Sequence, residues 1–414
     1  MMTKPPKYTI FGEDLDPAAI QQMENAMSLP VSVKGALMPD AHKGYGLPIG
    51  GVLATENAVI PYAVGVDIAC RVKMSVLPLP FDRFDDLRGE LKQTLDEQTR
   101  FGYGREFKRP KDHPVMDRDW KFCPTVAGLK DKAWKQLGTS GSGNHFAEFG
   151  RLTLYESTID KNTLDKEVGD LPPGDYITLL THSGSRGTGA AIAKHYSTLA
   201  QKLCPKLPNQ LKHLAWLEMD RAEGQEYFRA MTLMGEYSAA NHDIIHQSIL
   251  KALGEQPAIT VENHHNFAFR EKIGLREVIV HRKGAVPAAK GVLGIIPGSM
   301  ADPTYVVRGL GHPESINSSA HGAGRVMSRT AAFNTFKPRD LTDILTKRGV
   351  TLISAGLDEI PMAYKNIDAV MSQQKGLVET LARFEPKLVK MAPSESRRNR
   401  SGKRRRKKKK HRNR

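Results

Sequence analysis

The sequence predicts an α+β protein, on three observations. Its first third is rich in short β-branched segments broken by Gly or Pro, at residues 50–55, 59–68 and 72–77. Its middle carries a long Met- and Ala-rich stretch, residues 214–253, closed by Gly254, which reads as helix. No segment repeats at a fixed period, which sets aside solenoids and propellers.

The elements follow in chain order. Asp16-Pro17 opens a short helix by a side-chain cap and a proline at the first helical position, with Ile20, Met23 and Met27 on one face and Leu29-Pro30 ending it. The three strand segments come next. A polar stretch, 101–124, reads as a long surface insertion rather than a boundary. After the long helix, the apolar runs 277–281 and 291–296 predict strands, followed by a helix-rich stretch and a last helix over 377–384. No Pro/Gly/Ser-rich linker divides the chain, so one body, 1–392, and a basic tail, 393–414, are expected.

With 414 residues, 40% hydrophobic and 26% charged, the chain can bury one large core or several ordinary ones. Its net charge of +16 is mostly local: residues 397–414 hold 13 Lys and Arg and no acid, leaving 16 − 13 = +3 for the rest. Such a run repels itself and is expected to be disordered, either holding RNA phosphates or other polyanions, or serving as a solvated extension. The first residues lack an apolar signal segment, and no run approaches the roughly 18 apolar residues of a membrane span. A soluble, cytoplasmic protein with no membrane partner is the expectation. Cys70, Cys123 and Cys204 are too few and too far apart for a disulfide framework or a zinc ribbon.

Three histidines stand beside glycine-rich turns. Gly138-Thr139-Ser140-Gly141-Ser142-Gly143 leads to Asn144-His145, His182 begins His-Ser-Gly-Ser-Arg-Gly, and His321 begins His-Gly-Ala-Gly-Arg. Exposed backbone N–H groups at such turns suit phosphate oxygens, and Arg186 and Arg325 add guanidinium groups. One such turn is weak evidence, but three suggest phosphate handling. Asp67 and Cys70 close an apolar strand on which alternation would separate them, so a turn at Ala69 is predicted if both serve one ion. With His145, His182 and His265 they could hold one or two divalent transition metals, and ligand softness alone suggests zinc. Without those histidines Cys70 would read as a small buried apolar residue. His242 and His246, at i and i+4, have no third ligand and read as a core or surface pair, while Cys123 and Cys204 read as structural. The chain has neither a P-loop nor a Lys-x-Asp-Gly nucleotidyl-transfer motif, so a covalent nucleotide would need another nucleophile, such as histidine.

Eight ordered motifs resemble the RtcB family of RNA ligases. They are Met38-Pro39-Asp40-Ala41-His42-Lys43-Gly44-Tyr45-Gly46, Gly65-Val66-Asp67-Ile68-Ala69-Cys70, Gly143-Asn144-His145-Phe146, His182-Ser183-Gly184-Ser185-Arg186-Gly187, His281-Arg282-Lys283-Gly284-Ala285, Pro297-Gly298-Ser299-Met300, His321-Gly322-Ala323-Gly324-Arg325 and Asp358-Glu359-Ile360-Pro361-Met362-Ala363-Tyr364-Lys365. The resemblance implies an RtcB-like catalytic domain with two manganese ions, displacing zinc: Cys70 bridging, Asp67 and His145 on one ion, His182 and His265 on the other. It implies that His321 takes GMP from GTP, with Asn144, Phe146, Glu148, Ser299, Ala323, Gly324, Tyr364 and Lys390 around the nucleotide and Thr304 where a guanine-contacting Ser is expected. The implied substrates are RNA with a 3′-phosphate or 2′,3′-cyclic phosphate and RNA with a 5′-hydroxyl, with an archease-type activator as a further partner. Arg71 departs from the family's usual Gly and puts a cation beside the metals unless it turns away. The rival readings are a metal-dependent phosphodiesterase that does not ligate and an RNA-binding protein with an inactive body.

Overall fold

The computed structural model describes residues 7–155 and 171–393. The basic run 397–414, with the expectation that it is disordered, lies outside the described residues. Asp16 caps the helix Pro17–Met27, its carboxylate accepting from the Ala18 N–H at 2.8 Å, and Met23 and Met27 are buried as the apolar face requires.

Two sheets organise the rest. A five-stranded sheet runs Tyr8–Ile10, Ser32–Tyr45, Leu47–Thr55, Arg276–Lys283, Phe267–Ile273. The larger sheet runs Leu293–Pro297, Thr304–Gly309, Val378–Met391, Phe146–Leu154, Gly174–Ser183, Arg71–Pro80, Ile259–His264, with Thr351–Ser354 added beside Val378–Met391. Its path nearly closes on itself. Asn263, on the last strand, donates its side-chain amide to the Ile295 carbonyl at 3.3 Å and accepts from the Ile295 N–H at 3.1 Å, bridging to the first strand. Side chains from all the strands of that path meet in one apolar cluster that includes Val72, Met74, Leu180, Val261, Ile295 and Phe384. The long helix Ala222–Leu253, closed by Gly254 in the left-handed conformation, packs with Arg186–Leu203 in a second core.

Several expectations need correction. The predicted helix at 377–384 is the strand Val378–Met391, hydrogen-bonded on both sides; pairing partners distant in sequence override a short apolar run that fits either period. The predicted strand 59–68 is reduced to Ala58–Val59, because Pro61 starts the helix Pro61–Val64. The helical stretch expected from 214 starts at Ala222, its first residues including the short strand Leu217–Glu218 paired with Ala58–Val59. Within 101–124, Val115, Met116 and Trp120 are buried in the helical core, so this stretch is anchored rather than lying on the surface.

His281 predicts how the fold responds to acid. Its Nδ1–H donates to the Leu53 carbonyl at 3.1 Å while Nε2 accepts the Ile60 N–H at 2.9 Å, a set of bonds that only neutral imidazole makes. Burial pushes its pKa down to about 4. His242 and His246 are also buried, and burial holds both well below the usual range. A group that protonates more readily unfolded than folded favours unfolding as protons become available. The contribution of His281, about 3 kcal/mol, is therefore complete above pH ~6.5 and lost as the pH falls toward 4. Thermal melting is expected at markedly lower temperature at pH 5 than at pH 7.5; equal melting temperatures would contradict this.

Candidate active site

One end of the nearly closed sheet collects the reactive groups. Arg71 pairs with Ser183 on one side and His264 on the other, and His182 lies opposite Phe146. The neighbouring residues Cys70 and His265 thus arrive together, and the His265 N–H donates to the Cys70 carbonyl at 2.9 Å. Ala69 supplies the predicted turn, with φ +52. This conformation is costly for a residue with a Cβ, and it lets Asp67 and Cys70 face the same space.

Two donor sets result, Cys70 with His182 and His265, and Asp67 with Cys70 and His145; within each set the ligand atoms lie within 4.8 Å of one another. The Cys70 Sγ is 3.0 Å from His182 Nε2 and 3.4 Å from His145 Nε2, which in turn is 2.9 Å from an Asp67 oxygen. Backbone carbonyls hold the outer ring nitrogens: His182 Nδ1 meets Asn144 at 2.9 Å and His145 Nδ1 meets Ser140 at 3.2 Å. Both imidazoles therefore turn Nε2 inward, as outer partners of metal-binding histidines do. Burial pushes His182 down to about 3 and His265 well below its usual range, keeping both neutral and able to bind a cation. Burial, reinforced by Asp67, pushes the Cys70 thiol up, and a bound cation would reverse this.

The donors fit a metal. His265 Nδ1 is buried without a hydrogen-bond partner, an arrangement that costs about 1–3 kcal/mol unless a ligand answers it. Thiol, imidazole and carboxylate together suit a divalent transition ion. Arg71 does not intrude: its guanidinium pairs with Glu262 at 2.7 Å, and Lys73, two residues along on the same face, pairs with Glu262 and Asp243.

His321 faces this cluster, its ring centroid 4.8 Å from that of His265. Its Nδ1 is 2.6 Å from Asp40 Oδ2, and Asp40 is fully buried. Nδ1–H is thereby engaged, and the Nε2 lone pair is left for chemistry. Gly324 makes the approach possible: at φ +73, any Cβ there would stand 2.2 Å from the Asp40 carbonyl oxygen. Asp40 lies in the motif 38–46, whose residues do not announce its role. The available signal is a carboxylate within the apolar run Ala36–Ala41, where burial demands a partner. Asp40→Asn, which can present its amide to Nδ1 and favour the wrong tautomer, is expected to slow any reaction of His321 by about 10²- to 10⁴-fold. Metal affinity should be unchanged, so titrating both variants with Mn²⁺ checks that the loss is confined to His321.

The cleft has a volume of about 460 Å³, enough for a nucleotide. Asn144, Phe146 and Glu148 line it at the start of one strand, Ser299 and Thr304 on the hairpin of Leu293–Pro297 and Thr304–Gly309, Ala323 and Gly324 on the turn after His321, and Tyr364 where its backbone bridges to Arg325. Phe146 and Glu148 alternate onto the same face. Burial raises the Glu148 carboxyl well above the usual range, favouring its neutral form, and a hydrogen-bond donor filling the cleft would favour the carboxylate instead.

Three residues expected here are placed otherwise. Lys390 pairs with Ala147 in register and Met391 with Phe146, so Met391 lines the cleft while the Lys390 ammonium turns away to Asp96 at 2.8 Å. A register irregularity between Pro386 and Leu388 sets this parity, and one residue of slip exchanges the faces. Arg325 borders the cleft, but its guanidinium is committed to Glu359 at 2.8 Å, to the Asp358 and Met327 carbonyls and to the Tyr364 hydroxyl, so it builds the wall instead of presenting a free phosphate fork. Arg186 lies half-buried near Asp67, its Nε donating to Thr139 Oγ1 at 3.2 Å and its guanidinium packed over Gly141, where a Cβ would lie 2.1 Å from Nη1. His242 and His246 are a core pair, as expected, both bonded to Thr181 Oγ1.

A buried thiol–imidazole–carboxylate cluster facing an aspartate-held histidine across a nucleotide-sized cleft is the layout of a site for metal-assisted phosphate chemistry. Comparison with known proteins agrees. Residues 22–123 and 123–391 match the family described as tRNA-splicing ligase RtcB. The chain is 35% identical to the RNA-splicing ligase RtcB of Escherichia coli K12, covering 91% of this chain and 95% of that protein. It is 30% identical to the tRNA-splicing ligase RtcB of Methanococcus maripaludis, over 90% and 91% of the two chains, and 30% identical to that of Thermococcus kodakarensis, over 89% of each. The chain belongs to the RtcB family. Among the described residues no helix is long and apolar enough to cross a membrane.

Proposed function

We propose that the protein is an RNA ligase that uses GTP and two Mn²⁺ ions to join a 3′-phosphate or 2′,3′-cyclic-phosphate RNA end to a 5′-hydroxyl end. The observation that carries this reading is His321: a histidine with Nδ1 fixed by buried Asp40, opening onto the same cleft as the cysteine–histidine cluster. Family membership supports the RNA substrate, and the relatives' names describe splicing of RNA and tRNA.

In this reading Asp67, Cys70, His145, His182 and His265 would hold the two ions, whose positive charge would offset that of the triphosphate. The guanine sits by Phe146, with Glu148 accepting from its N1 and N2 hydrogens. His321 Nε2 attacks the α-phosphorus in line and pyrophosphate leaves, while Asp40 stabilises the charge that the ring acquires. An oxygen of the RNA 3′-phosphate then displaces the imidazole and takes the GMP; a cyclic end is first hydrolysed to the 3′-phosphate. Attack of the 5′-hydroxyl on that 3′-phosphorus expels GMP and leaves a phosphodiester. An archease-type activator belongs to this reading as a partner, and the cytoplasm, where thiols such as Cys70, Cys123 and Cys204 stay reduced, as its compartment.

The test is to incubate the protein with Mn²⁺ and GTP labelled at the α-phosphate, with ATP in parallel. An acid-labile protein adduct from GTP, discharged by RNA bearing a 3′-phosphate, is expected. Hydrolysis of a cyclic phosphate with no adduct and no joined product would favour the phosphodiesterase instead.

A further inference from the structure

One rim of the cleft is built unlike the rest. Tyr45 lines it with 70% of its surface exposed, and Val66 beside it is 52% exposed, whereas the interior of the cleft is largely buried. An exposed aromatic is unremarkable on a mobile loop, but the backbone here is fixed on all sides. The Gln22 side chain donates to the Gly44 carbonyl at 2.8 Å and accepts from the Gly44 N–H at 2.9 Å. Gly46, at φ +71, packs so closely on the His213 carbonyl that a Cβ would stand 2.7 Å from its oxygen. Beneath both, the Lys283 ammonium is buried with no acidic partner among the described residues and donates to the Tyr45 carbonyl at 2.5 Å and the Tyr62 carbonyl at 3.0 Å. His213 stands edge-on to both tyrosine rings, with centroids 5.9 Å from Tyr45 and 4.6 Å from Tyr62.

A buried cation spent on two carbonyls, a two-way amide clamp and a glycine contact together lock one turn, and that turn presents an uncovered ring. The turn is also tied to the reacting centre. Tyr45 ends the strand that carries Asp40, five residues earlier, at most about 17 Å along an extended chain. Lys43, exposed, lies between them in the chain.

We propose that Tyr45 is a stacking platform for a nucleobase of single-stranded RNA, close to the end being joined, and that Lys283 is the positioning residue that holds the platform in place. The proposal rests on the reading of the cleft as an RNA-joining site and adds the part of the RNA that the rim takes. Every base has a π-face, so the subsite tolerates sequence and selects unpaired ends, whose bases are free to stack.

The test is fluorescence titration of the full chain with single-stranded oligoribonucleotides carrying 2-aminopurine near the end, a 3′-phosphate end in one arm and a 5′-hydroxyl end in the other. Quenching on binding in one arm is expected and identifies which end is held. Tyr45→Ala is expected to abolish the quench and weaken binding in that arm roughly 5- to 150-fold, and Tyr45→Trp to restore both. Lys283→Met is expected to reduce the quench more than the affinity, as a loosened platform would. Equal affinity and quench in wild type and Tyr45→Ala in both arms, or no binding of either oligonucleotide, would overturn the proposal. No GTP or metal enters this titration, so absence of a GTP adduct in the labelling assay would defeat the ligase reading while leaving the stacking result legible.

Discussion

Replacing His321 with alanine is expected to remove covalent nucleotide transfer altogether, about 10⁴-fold or more in the rate of adduct formation. No other imidazole among the described cleft residues is placed to substitute. His145 and His182 direct Nε2 at Cys70 and His265 lies within their cluster, while His42, whose Nδ1 meets the Asp40 carbonyl at 3.0 Å, lacks the carboxylate that orients His321. The alanine variant also leaves Asp40 buried with the His321 backbone N–H, at 3.3 Å, as its remaining partner from that residue. A destabilisation of about 1–3 kcal/mol is therefore expected alongside the chemical defect. His321→Asn separates the two effects, because its amide can still donate toward Asp40 but cannot accept GMP. It should melt close to wild type and form no adduct. An adduct in His321→Asn would show that another nucleophile operates.

Cys70→Ala is the second large effect. Cys70 is the one residue common to both donor sets, so its removal weakens two ion sites at once, whereas loss of His145 or His265 touches one set each. Partners one shell further out are commonly worth about 10- to 100-fold in metal affinity, and a shared direct ligand is expected to cost more. Calorimetric titration with Mn²⁺ should show two binding events in wild type and neither at comparable concentration in Cys70→Ala. Retention of one undiminished event would mean that the thiol serves only one ion. Because a buried thiol must lose its proton to bind, wild-type binding should also release protons, detectable as heats that vary with the buffer's ionisation enthalpy.

Much of this site was legible because its chemistry requires unusual neighbours. Histidines flanked by glycines have few other reasons to occur three times in one chain, and the parity of a strand makes a turn at Ala69 necessary if Asp67 and Cys70 are to face one point. What could not be read was decided by pairing. Residues 377–384 look helical in isolation and fall in the strand Val378–Met391 only because Thr304–Gly309 and Phe146–Leu154 lie on either side. The same ladder turns Lys390 outward through an irregularity that no local residue pattern announces. The partnership of Asp40 with His321 spans 281 residues, and composition alone cannot join positions so far apart. Arg325 misled for the opposite reason: its neighbours suggest phosphate, while its true partner, Glu359, is supplied by a later segment.

The junction at Asn263 has a consequence for traffic through the site. Elsewhere around the ring adjacent strands are stitched by backbone ladders, but here the Asn263 side-chain amide bridges one margin to the other. Immediately beyond that bridge the chain runs into His265 on one margin and into Pro297-Gly298-Ser299 on the other. This seam, held besides by the apolar packing of Val261 against Ile295 and their neighbours, thus lies between His265 of the donor cluster and the loop Pro297-Gly298-Ser299 of the cleft wall, where the cleft can widen with the fewest backbone bonds to break.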